Sequence, residues 1–248
     1  MRKMIILMLS VLLITLCTST GRAGYLFSDD FESYNIGEDI ATTSFNWMNM
    51  DPAALGVFRV ISDGSDKAVW GDMDGKANSC FYLHPTYDVI TDCYSQIDFK
   101  MDSGESCAIS LLLRYSGVYP SDWEIYCGSL NNGLDKGLAI LDIYYIRNDT
   151  YDTLNELILY DFDLNIWHSL KFMVIGDSTV NLTLVLDNAI SLTAQDNPGR
   201  ISWGDGGMGL DCYMGGGSQT FLLDNYALYS IETGVQPQSL GKVKCLYH

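Results

Sequence analysis

Hydrophobic and polar residues alternate with period two over most of this chain, most clearly between Trp167 and Thr193. Leu170, Phe172 and Val174 alternate with polar or exposed-type neighbours. Val180, Leu182, Leu184 and Leu186 alternate with Asn181 and Thr183. Such alternation marks a half-buried antiparallel strand. Gly176 to Thr179 breaks the first run, Asp187-Asn188 suits the left-handed positions of a tight hairpin, and a third strand starts at Ile190. The same reading predicts strands over 57–61, 68–70, 79–83, 93–101, 108–115, 123–127, 138–146, 156–160, 206–214 and 220–231, with an acidic strand over 27–34. Residues 40–56 read as irregular, with Asn46-Trp47-Met48 a packed insertion. No repeat and no long helix is visible. About a dozen short strands at this spacing predict an all-β sandwich of two antiparallel sheets.

The first residues change the picture of where the sandwich works. Arg2 and Lys3 precede an apolar run from Met4 to Leu16, and Gly21-Arg22-Ala23 fits a small-x-small cleavage site. That pattern predicts an export signal over 1–23. Its apolar run is too short to span a bilayer comfortably. One β domain over 24–232 and a patternless tail over 233–248 follow. The expected location is secreted or extracytoplasmic, either periplasm or cell surface. With 31 acids against 14 basic residues the formal charge is −17. That argues against nucleic acid and anionic membrane partners, since phosphate binding needs a basic surface. It favours cations or neutral ligands such as sugars. Cys80, Cys93, Cys107, Cys127, Cys212 and Cys245 follow the signal, an even number that permits up to three disulfides in an exported chain. Cys80 with Cys93 is the local pair favoured by the turn at His84 to Tyr87, and Cys107 with Cys127 could link neighbouring strands.

Three segments together carry a resemblance: Asp29 to Tyr34 (DDFESY), Trp167 to Leu170 (WHSL) feeding the hairpin at Leu186-Asp187-Asn188, and Phe221 to Tyr226 (FLLDNY). The chain resembles the concanavalin A-like lectin/glucanase superfamily, in its laminin-G-like bacterial secreted branch, over about Phe27 to Ile231. The resemblance implies a jelly roll with one concave sheet that holds carbohydrate in many relatives. It also implies a structural calcium tying the first strand to the last. Glu32 or Asp30 would contribute from the first strand and Asp224 from the last, and the turn at Asp63-Gly64 would add carbonyls. Hard calcium takes six to eight such oxygens, which would neutralise acids brought together from distant segments.

Candidate chemistry is sparser. Gly204 to Gly209 matches G-x-G-x-x-G but has no βαβ context, so it reads as a sandwich loop leading into a strand. Glycoside hydrolysis needs two carboxyls across a groove. The E-x-D-x-x-E of laminarinase-like enzymes is absent, and no Ser-His-Asp arrangement can be built from His84, His168 and His248. Alternation places Ile109, Leu111, Leu113, Trp123 and Ile125 inward. Arg114, Glu124, Tyr126, Asp142 and Tyr144 then share a polar face that could line a sugar groove. The expected function is a secreted, non-catalytic carbohydrate-recognition or cell-surface module with a structural calcium. A polysaccharide hydrolase or lyase of the same fold and a purely structural exported protein are the alternatives.

Overall fold

The computed structural model describes residues 22–40, 47–49, 57–72, 80–83, 91–101, 107–118, 121–132, 138–202, 204–212 and 220–232. The expected export signal up to Gly21, the tail from 233, His84 and Cys245 lie outside them. By contacts Tyr25–Ser230 forms one compact unit.

Fifteen strands are described: β1 (Arg22–Asp29), β2 (Met48–Asn49), β3 (Val57–Asp63), β4 (Asp66–Asp72), β5 (Cys80–Leu83), β6 (Cys93–Met101), β7 (Cys107–Val118), β8 (Asp122–Asn132), β9 (Leu138–Arg147), β10 (Thr150–Tyr160), β11 (His168–Ile175), β12 (Val180–Leu186), β13 (Ile190–Asp196), β14 (Asp205–Cys212) and β15 (Thr220–Glu232). They form two sheets. The first runs β13-β12-β11-β6-β15-β4-β3, with β1 also on β15, and the second runs β10-β9-β8-β7-β14-β5-β2. The pairings with resolved register are antiparallel. The two-sheet antiparallel sandwich expected from the sequence is the fold observed.

Alternation builds its core. In β6, Cys93, Ser95, Ile97, Phe99 and Met101 are buried while Tyr94, Gln96, Asp98 and Lys100 are not. From the second sheet, Ile109, Leu111, Leu113, Leu141 and Ile143 meet Phe172, Leu182 and Leu184 of the first in one apolar cluster. The sheets approach closely at Gly128, where an added Cβ would lie 2.5 Å from the Phe172 ring and 2.8 Å from Leu184. The Asp187-Asn188 hairpin forms as expected, both residues having positive φ (53° and 54°).

Four expectations are corrected. Asp29 to Tyr34 is not one strand. β1 stops at Asp29, whose carboxylate accepts from Phe31 N (2.9 Å), Tyr34 OH (2.7 Å) and Trp47 Nε1 (2.8 Å). That side chain bends the backbone into a turn with Phe31 at φ 56°, as Asp favours over strand continuation. Trp47 and Phe31 stack there against each other, and Trp47 meets Tyr226 edge-on. The Gly204–Gly209 segment is not a loop, because Asp205 to Cys212 forms β14, seated between β7 and β5. Cys80 and Cys93 fall on different sheets, β5 and β6. Cys127 stands opposite Leu112, while Cys107 stands opposite Cys212. Cys93 and Cys127 are buried and in no disulfide, so neither expected bridge forms.

Candidate functional site

The five residues expected to line one groove divide between the two faces of the second sheet. Register decides this. Leu112 pairs with Cys127 and Leu111 with Gly128, so odd-numbered residues of β8 share a face with even-numbered residues of β7. Trp123, Ile125 and Cys127 therefore face outward and form a second apolar cluster with Leu112, Tyr144 and Ile146. Tyr126 faces inward, in the main core. Its OH donates to Asp196 Oδ2 (2.6 Å) and accepts from Arg200 N (3.0 Å). Burial, with the hydrogen bond to Asp196 adding to it, pushes that phenol up to about 12. Glu124 accepts from Tyr145 OH (2.6 Å), and Tyr145 belongs to the main core too. β8 is apolar on both faces, so hydrophobicity alone chose the wrong one.

Arg114 departs for a different reason. A bulge between Leu113 and Ser116 breaks the alternation, and Arg114 takes φ 58°. Bulges re-aim side chains in this way. Its guanidinium is fully buried and donates to Thr91 O (2.9 Å), Ile201 O (2.8 Å) and Asp92 Oδ1 (3.3 Å). It is a clamp between chain segments, not part of a groove.

Asp142 and Tyr144 remain on the outer face, and the structure adds partners the sequence did not single out. Ser110 pairs with Ser129, Ser129 with Asp142, and Asp142 with Glu156. Four polar residues thus line up across β7, β8, β9 and β10. At about 4.8 Å per strand the row spans roughly 14 Å. Asn131, on the same face as Ser129, donates its amide to Asp142 Oδ2. Ser110 Oγ and Tyr144 OH share a hydrogen bond of 3.1 Å, and Tyr144 packs on Tyr151. Three buried atoms of this row, Ser129 Oγ, Asn131 Oδ1 and Asp142 Oδ1, have no hydrogen-bond partner. Each such atom costs about 1–3 kcal/mol unless something meets it. Burial, with Glu156 opposite adding to it, raises the Asp142 carboxyl to about 6, against the Asn131 hydrogen bond. The row is closed at Ser110 and Ser129 (0% exposed) and open at Glu156 and Tyr151.

Of the expected calcium ligands, Asp63 and Asp224 lie on strands of the first sheet, while Asp30 and Glu32 lie in the turn after β1. A depression of about 520 Å³ is lined in part by Asp63, Asp66, Asp98, Asp224, Asn225 and Trp167. Asp98 and Asp224 face each other in register, and Asn225 Nδ2 donates to both (3.0 and 3.2 Å). Burial, with Asp98, Asp66 and Asp30 adding repulsion, raises the Asp224 carboxyl to about 6. Glu32 is engaged elsewhere, accepting from Lys67 N (2.6 Å). The oxygen donors suit a hard cation in kind. Among the described residues no group of three or more His, Cys, Asp or Glu side chains is set to hold a metal. His168, beside this depression, lies 2.8 Å from Asp187 Oδ2 and 2.7 Å from Asp163 O and packs on Phe162 and Phe99.

No family model matches the chain, and no curated protein does either. Solved structures do. The carbohydrate binding module CBM66 from Bacillus subtilis is 16% identical, over 75% of this chain and 96% of its own, with TM-score 0.53. The kappa-carrageenase of Pseudoalteromonas carrageenovora, solved with an oligotetrasaccharide of kappa-carrageenan, is 12% identical over 87% and 97%, with TM-score 0.55. A Bacillus subtilis protein of unknown function with a galectin-like fold is 9% identical over 85% and 98%, also with TM-score 0.55. The fold is the concanavalin A-like jelly roll. This jelly roll is shared by binding modules and hydrolases alike, so any function must be argued from the chain's own side chains.

Proposed function

We propose that this chain is an exported, non-catalytic carbohydrate-recognition module whose ligand meets the open end of the outer face of the second sheet, at Asp142, Tyr151 and Glu156. The observation that carries the reading is the row Ser110, Ser129, Asp142 and Glu156, with three adjacent buried polar atoms lacking partners. Sugar hydroxyls both donate and accept, so they suit the exposed end of that row, at Asp142 and Glu156. The jelly roll adds support at the level of fold, being shared with a carbohydrate-binding module. The direct test is titration of the mature protein with neutral oligosaccharides, alongside Tyr151→Ala and Glu156→Ala. Binding weakened at least tenfold in both variants supports the reading. Unchanged binding in both removes the row from it.

A structural calcium stays part of the proposal, at Asp98 and Asp224 with Asp66 and Asp30 around them. Its support is the carboxylates of Asp98, Asp66 and Asp30, whose repulsion adds to burial in raising Asp224. A bound cation would offset that repulsion.

A further inference from the structure

We propose that Cys107 and Cys212 are a disulfide site, which joins the first residue of β7 to the last of β14 and makes the stability of the second sheet depend on its redox surroundings. The site stands independently of the carbohydrate reading.

Register carries the inference. β7 and β14 are antiparallel neighbours in the second sheet, and Cys107 is the residue directly opposite Cys212. Directly opposed residues of an antiparallel pair have Cα atoms about 4.5 or 5.5 Å apart, depending on whether the two exchange hydrogen bonds. A disulfide spans Cα separations of about 4.4–6.8 Å, so either kind of pair accommodates one. The other cysteines fit worse. Cys80 stands opposite Leu210 on the far side of β14, which makes it a diagonal neighbour of Cys212. Diagonal Cα atoms lie about 7–8 Å apart, out of reach of a bridge unless the backbone moves. Cys93 is on the first sheet, and burial pushes its thiol up to about 12, away from the thiolate that reacts. Cys127 is buried on β8 opposite Leu112 and is in no disulfide.

The chemistry is a two-step exchange with an oxidant that itself carries a disulfide. One cysteine, as thiolate, attacks a sulfur of the oxidant, forming a mixed disulfide and expelling one oxidant thiolate. The other cysteine thiolate then attacks the protein sulfur of that mixed disulfide. The Cys107–Cys212 bond forms and the second oxidant thiolate leaves. The two cysteine protons end on the two oxidant thiols, and the oxidant takes up the two electrons that the cysteines lose. Extracytoplasmic compartments supply such oxidants, whereas the cytosol keeps thiols reduced. The bond closes a loop of roughly 100 residues running from β7 to β14 and pins those two strands at one end of their ladder.

The test equilibrates the mature protein with oxidised glutathione, blocks free thiols under denaturing conditions and maps linked peptides by mass spectrometry. Peptides holding Cys107 and Cys212 should be joined, with Cys93 and Cys127 blocked. Dithiothreitol should lower the wild-type Tm by roughly 5–15 °C. Cys107→Ser combined with Cys212→Ser should melt near the reduced wild type and lose most of the response to dithiothreitol, while Cys80→Ser should respond as wild type does. The peptide map is made on wild type, so it decides the site even if the double variant folds poorly. Cys107 or Cys212 recovered blocked, Cys212 joined to Cys80, or a wild-type Tm unmoved by dithiothreitol would overturn the proposal.

Discussion

Arg114 is the sharpest case of a residue whose role the structure reassigns, and its replacement by Met tests that role. Its guanidinium supplies donors to two backbone carbonyls, Thr91 O and Ile201 O, and to Asp92. Met retains the length and apolar stem but none of the donors. Each carbonyl left unmet costs about 1–3 kcal/mol. Removing one partner of a buried ion pair costs about 3–5 kcal/mol. These figures overlap rather than add. Asp92 keeps its bond from Gly176 N (2.8 Å) and is 15% exposed, so water covers part of its loss. A net loss of about 3–5 kcal/mol follows, which for a domain of this size lowers Tm by roughly 6–20 °C. Urea denaturation of the Arg114→Met protein measures it, with an unchanged slope expected because both proteins unfold the same surface. A Tm within 2 °C of wild type, together with lost sugar binding, would refute the clamp and return Arg114 to the ligand site.

Other outcomes follow from the same geometry. A carboxyl raised in the folded state keeps a proton that the unfolded chain has already lost, so its stabilising contribution is full below about pH 4 and disappears as pH rises through about 6. Asp142→Asn and Asp224→Asn should therefore each raise Tm at pH 7.5 more than at pH 4.5 in fluorimetric scans; equal shifts at both pH values would count against the burial argument. Gly128→Ala should destabilise by about 1–3 kcal/mol through overpacking against Phe172, read by chemical denaturation, and a neutral effect would mean the sheets can part at no cost. Calcium at a hundredfold its dissociation constant should stabilise the wild type by about 2.7 kcal/mol relative to chelator, and the shift should vanish in Asp224→Ala. Identical melting with calcium and with chelator would end the cation proposal.

Strand positions were legible where one face is buried and the other wet. β6 and β12 run over the residues that alternation indicates, and the Asp187-Asn188 turn follows from two side chains that tolerate positive φ. Legibility failed where both faces are apolar. In β8, Trp123, Ile125 and Cys127 alternate with Tyr126 and Leu130, and only pairing with β7 says which set faces the core. Local hydrogen bonding defeated the pattern at Asp29, whose carboxylate ends the strand by gathering three donors, one of them 18 residues away. The candidate site was half visible. Asp142 and Tyr144 could be placed on a polar face by parity, but Ser129, Asn131 and Glu156 join them through register across three strands, which no single segment encodes. One signal was present and unread: the polar stretch Ser129 to Asn132 closing an otherwise apolar β8.

The central claim is that a glycan meets the open end of the outer face of the second sheet, and the most direct measurement is backbone amide NMR of the isotopically labelled protein titrated with a bound neutral oligosaccharide. The account predicts shifts that saturate together and concentrate at Asp142, Tyr144, Tyr151 and Glu156. Shifts centred instead on Trp167, Asp187 and Asp224 in the depression of the first sheet, with the row unmoved, would contradict it.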